Sequence, residues 1–185
     1  MRNRTRRLCQ IAVITAVLCL ISPIVIPLPF TPIPISLTTL AIMIAGSLLG
    51  ALDGTVAVVI YIILGLVGLP VFSGFRSGLV VLAGPTGGFL IGYPLLSFIS
   101  GFLKKRIKSK KTFISYILSN TVANLLLYIV GCGWYVIYAK VTFGIALMAT
   151  VVPFLLGDII KILLASVISL RFLGKGELDG NKTDF

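Results

Sequence analysis

The sequence predicts an all-α integral membrane protein, a bundle of six transmembrane helices with both termini on the cytoplasmic side. Three observations carry this. Of 185 residues, 58% are hydrophobic and only 11% charged, whereas soluble domains carry about 25% charged residues. The apolar residues gather into six runs, to be compared with the roughly 20 residues that cross a bilayer. The basic residues gather in short flanks of those runs, as a topology signal does.

The first run, 8–26, follows the basic stretch MRNRTRR. No small-x-small cleavage site comes after it and further apolar segments follow at once, so it reads as a retained helix and not a signal peptide. The second and third runs, 37–52 and 54–70, are separated by LDG, where Asp53 and Gly54 mark a tight turn. Both are short, which implies local thinning or helices that stop beneath loops folding back. The fourth, fifth and sixth cover 87–103, 113–136 and 153–173. Residues 1–175 therefore form one transmembrane domain, and 176–185 a polar, disordered tail.

The net charge of +11 is placed to orient this bundle. Four Lys and Arg lie in MRNRTRR, six in KKRIKSKK and three beyond Leu170. Six spans put the N-terminus, KKRIKSKK and the C-terminus on one face, and the positive-inside rule makes that face cytoplasmic. Only Arg76 and Lys140 fall in outward loops. Membrane lipid, and no nucleic acid, is the partner this distribution implies, with the cell membrane as the location.

The same orientation disposes of a nucleotide. The glycine-rich stretch VFSGFRSGLVVLAGPTGGFLIGYP joins the third and fourth helices, so it faces outside, where no ATP is available. The pattern G-x-x-x-x-G-K-[ST] is absent from the whole chain. There is no histidine, and Cys9, Cys19 and Cys132 have no metal-ligand spacing. No nucleophile is paired with a base. The chain reads as no enzyme, with no cofactor and no metal.

Three outer connections remain: 27–36, 71–86 and 137–152. PLPFTPIPIS carries four prolines, which stiffen it. Gly84-Pro85-Thr86-Gly87-Gly88 combines a turn with close backbone approach. Such rigid, partly apolar loops are either caps sealing the helix ends or a lid over a ligand, and the lid is favoured. The intramembrane polar residues give the reason. PFLLGDIIKILLA places Asp158 and Lys161 one turn apart on the last helix. A charge at mid-bilayer costs about 2.5–3.5 kcal/mol on insertion scales, so such residues face an interior or a cavity. They either neutralise each other or hold a polar ligand, Lys161 a carboxylate and Asp158 an N–H.

Helix five adds Tyr116, Asn120, Asn124 and Tyr128 at intervals of four, a stripe that winds about 40° per step. Asn120 reads as glue between helices. Asn124 and Tyr128, nearer the outer end, read as pocket residues. Tyr93 sits just below the glycine loop, and Trp134 either lines the same cavity or anchors the interface. Small residues mark helix contacts: Ala12 and Ala16, Gly46 and Gly50, Gly88 and Gly92. Helix one is the best candidate for a partner surface.

Four strings, in order, carry a family resemblance: PFTPIPISLTTLAIMIAGSLLG, YIILGLVGLPVFSG, GPTGGFLIGYP and PFLLGDIIK. From about residue 8 to 173 the chain resembles the BioY family, the biotin-specific S-components of energy-coupling factor (ECF) transporters. One departure is Thr38, where many members carry Gln. The resemblance implies an S-component-like bundle that captures biotin at the extracellular side. Delivery inward would use a transmembrane coupling protein and two cytoplasmic ATPase subunits. The expected ligand contacts are Asp158, Lys161, Tyr93, Asn124, Tyr128, Thr86 and Gly87, and the pair Ala12 and Ala16 resembles the small-residue motif by which S-components dock on the coupling protein. Biotin fits a pocket of apolar walls and few polar groups. Two alternatives stay open: a stand-alone transporter coupled to an ion gradient, and an S-component for another vitamin.

Overall fold

The computed structural model describes residues 2–27, 29, 33–107 and 112–178. Helix α1, Arg2–Ile21, begins in the basic stretch and stops short of residue 26. Ser22-Pro23 turns the chain, with Ile24 N–H bonding back to Ile21 O at 3.1 Å. Two short strands follow, β1 (Val25–Ile26) and β2 (Ile35–Ser36), paired antiparallel. The proline-rich connection is thus tied at its base as a hairpin.

Helix α2 is a single helical stretch in the backbone pattern, Thr38–Val67, with one non-helical residue inside it. The break expected at Asp53-Gly54 lies instead at Gly50, whose φ of 80° is a left-handed value that side chains disfavour. The chain folds back there. A Cβ on Gly54 would lie 2.8 Å from Gly46 Cα, whereas eight residues along a straight helix separate two positions by about 12 Å. Asp53 pairs instead with Arg7 of α1, whose Nε reaches Oδ2 at 2.5 Å while Nη2 contacts Oδ1.

Helix α3 spans Gly87–Arg106 and α4 Thr112–Ala139. The segment expected as an outer loop, 137–152, contains the end of α4 and a short helix α5, Phe143–Thr150. A 3-10 turn at Val152–Phe154 leads into α6, Leu155–Leu178. Most of the tail expected from 176 lies outside the described residues, as do Lys108 to Lys111. Among the described residues, four helical stretches are long and apolar enough to cross a membrane: Thr38–Val67, Gly87–Arg106, Phe113–Ala139 and Phe143–Phe172. The arginines crowding the first turns keep α1 from joining them.

The core lies where α2, α3 and α4 meet, around Ile42, Met43, Val58, Leu96 and Leu127. Gly46 lets α2 approach α3 so closely that a Cβ there would fall 2.3 Å from Ser97 O. Beside this crossing sits a buried polar cluster. Ser47 Oγ lies 3.2 Å from Ser100 Oγ, and both hydroxyls donate to Asn120 Oδ1. Asn120 is interhelical glue, linking α4 to α2 and α3.

These contacts give the bundle two distinct ends. Gly101 of α3 packs on Gly50 and Ala51, and Arg7 holds Asp53. The arginines of α1, the Gly50 bend and Lys104 to Arg106 therefore share one end. The hairpin and the 71–86 loop lie together at the other: Gly74 N–H bonds to Pro23 O at 3.1 Å.

Candidate ligand-binding site

At that second end, α4 and α6 bring four of the expected residues into one network. Asp158 Oδ2 accepts from Asn124 Nδ2 at 3.2 Å and from the Tyr128 hydroxyl. Its Oδ1 accepts from Lys161 Nζ at 2.8 Å. Lys161 Nζ also donates to Thr39 Oγ1 of α2, at 3.3 Å. Tyr128 follows Asn124 by four residues and Lys161 follows Asp158 by three, so each pair shares one helix face. The Asp158 and Lys161 side chains are only 7% and 8% exposed. Burying an ion pair is tolerable when further hydrogen bonds satisfy the charges, as they do here.

The two readings of this pair were mutual neutralisation and ligand contact. They prove compatible, because the paired residues also line a cavity with an empty volume of about 520 Å³, its open mouth included. Polar capacity remains inside it. An ionised carboxylate offers about four acceptor sites and an ammonium three donors. Asp158 uses three of the former and Lys161 two of the latter. Asn124 Oδ1 is buried and unpartnered. What is left is a site with an acceptor and a donor side by side.

Tyr93, Tyr128, Thr86, Asp158 and Lys161 all line this cavity, and Asn124 stands behind Asp158. Gly87 is not among the lining residues. It is required for packing instead, since a Cβ there would fall 1.9 Å from Leu82 O. Trp134, expected as a liner or an interface anchor, is not among the lining residues. Its Nε1 donates to Gly84 O at 3.0 Å, and its Cβ lies where Gly88 would carry one. It straps the glycine turn to α4. We expect Trp134→Phe, which removes that bond, to weaken ligand retention by up to about tenfold while helix content is unchanged. Dissociation rates of bound ligand, beside circular dichroism, check this.

A smaller compartment adjoins the first and shares Pro34, Ser73, Thr86 and Tyr93 with it. Arg76 lines its wall. Several liners of the main cavity were missed in the sequence: Thr39, Ser36, Ser73, Thr150 and Phe154. Thr39 adjoins Thr38 and no periodicity separates the two. Thr38 itself is wholly buried and bonds Ser22 O at 3.4 Å.

A largely helical chain with several membrane-competent helices, around a polar-floored cavity at one end, is a multi-pass membrane protein built to hold a small molecule. Comparison with known proteins narrows that class. The family model described as the BioY family matches residues 1–175, and the chain belongs to that family. It is 34% identical to the biotin transporter BioY2 of Lactococcus lactis subsp. cremoris, covering 90% of this chain and 89% of that one. Identity to the biotin transporter BioY of Thermotoga maritima is 35%, covering 90% and 95% respectively. A crystal structure of the S-component for biotin from an ECF-type ABC transporter superposes with a TM-score of 0.86 at 31% identity. The match covers 94% of this chain and 93% of that one.

Proposed function

We propose that this chain is the biotin-binding S-component of an ECF transporter, capturing the vitamin outside and passing it inward with an ATP-driven module. It is a transport subunit and not an enzyme. The observation that carries the reading is the Asp158–Lys161 pair lining a cavity in a BioY-family fold.

Biotin offers a ureido ring with N–H donors beside a carbonyl, an apolar thioether ring and chain, and a terminal carboxylate. The 2.8 Å contact between Asp158 and Lys161 favours both residues meeting the same end of the ligand. A ureido N–H on Asp158 and the adjacent carbonyl on Lys161 would use the remaining acceptor and donor. That differs from the expectation that Lys161 takes the carboxylate. Tyr93, Tyr128 and Thr86 would complete the wall, with Asn124 orienting Asp158 from behind.

Six crossings follow if α1, the two limbs of α2 about Gly50, α3, α4 and α6 each span the bilayer. The gathering of basic residues at one end of the bundle supports cytoplasmic termini. Ala12 and Ala16 are exposed on α1 beside Val13 and Leu20. This small-residue face suits close docking by a transmembrane coupling protein, itself driven by two cytoplasmic ATPase subunits. Reconstitution tests the division of labour. The chain alone in proteoliposomes should bind biotin in preference to thiamine and riboflavin without accumulating it. Accumulation driven by a proton gradient would make the chain a stand-alone transporter, and preference for another vitamin would overturn the ligand.

A further inference from the structure

Among the described residues, buried side-chain polar atoms without a partner occur on Ser22, Ser97, Asn120, Asn124, Thr150 and Ser169. Of these residues, Thr150 alone lines the main cavity. It is fully buried at the last position of α5.

The free hydroxyl is unusual for its setting. A helical Ser or Thr commonly satisfies itself on the carbonyl four residues back. Thr55 does so on Ala51 O at 2.6 Å, Ser119 on Ser115 O at 2.7 Å and Ser166 on Ile162 O at 2.7 Å. Thr150 has no such bond to Ala146. Ala146 and Thr150 form the buried side of α5, while Phe143, Ile145 and Met148 are exposed. The chain then turns through Val152–Phe154, bringing Phe154 into the same cavity wall.

Other donors at this site already meet a protein acceptor. Tyr128, Asn124 and Lys161 all converge on Asp158. We infer that Thr150 contacts the bound ligand directly, its hydroxyl donating to an acceptor oxygen of that molecule. No motif in the sequence marks it, because it closes a short helix in a stretch that reads as a loop.

The ligand is the biotin of the reading above, so the parent protein is titrated first. Absence of biotin binding by the parent would remove that reading and this contact together. With binding established, calorimetry on the full chain in detergent compares Thr150→Val, which keeps the volume, and Thr150→Ala, both without the hydroxyl, with Thr150→Ser, which keeps it. Val and Ala are expected to weaken biotin binding about tenfold, with Ser within about twofold of the parent. Two hydroxyl-free variants are used so that a folding failure of one leaves the other to decide. A folded Val or Ala protein binding like the parent overturns the contact. So does a Ser protein as weak as Ala, since returning the hydroxyl would then restore nothing.

Discussion

Asp158→Ala is expected to abolish measurable biotin capture, lowering affinity by at least about a hundredfold. The carboxylate is the single acceptor on which Tyr128, Asn124 and Lys161 converge. Truncating it removes the partner proposed for a ureido N–H, leaves Tyr128 and Asn124 Nδ2 without their acceptor and leaves Lys161 with Thr39 alone. A charge-assisted hydrogen bond amounts to about 1.5–3 kcal/mol, and each unpaired donor adds its own penalty. Asp158→Asn keeps the shape but not the charge and is expected to fall between the two. Isothermal titration in detergent, with thermal unfolding run on the same preparations, reads both consequences. Parent-like binding by both variants would remove Asp158 from the ligand site.

Lys161→Met produces the second large effect, and it falls on stability as well as on binding. Removing one member of a buried ion pair costs about 3–5 kcal/mol, because the other charge stays buried without its partner. Replacing both members by apolar residues of similar size is often neutral or stabilising. The double substitution Asp158→Leu/Lys161→Met is therefore expected to regain the parent's unfolding midpoint without regaining biotin binding. That combination separates a pair kept for ligand chemistry from one kept to hold helices together. A double variant that both folds and binds would make the pair structural.

Much of this site was legible before any coordinates, for a physical reason. Charge is costly in lipid, so Asp158 and Lys161 stand out in an apolar run, and the four-residue spacing of Asn124 and Tyr128 puts both on one side of α4. Hydroxyls carry no such signal. Thr39 and Thr150 resemble any other small polar residue in a helix, and only tertiary packing decides whether they meet the cavity or a backbone carbonyl. The bend in α2 was misplaced because Asp53-Gly54 has turn chemistry. Asp53 is claimed by Arg7, and Gly54 is needed for contact with Gly46. Gly50, with nothing within 4 Å of its missing side chain, was left to make the bend. Likewise Trp134 was read by its aromatic class, while its role depends on a carbonyl fifty positions away at Gly84.

The most direct measurement is a crystal structure of the biotin-saturated protein. The ligand is predicted inside the cavity between α4 and α6, with its ring nitrogen and carbonyl within hydrogen-bonding reach of Asp158 and Lys161. Biotin found elsewhere, or an empty cavity at saturating vitamin, would contradict the assignment of this pair as the binding floor.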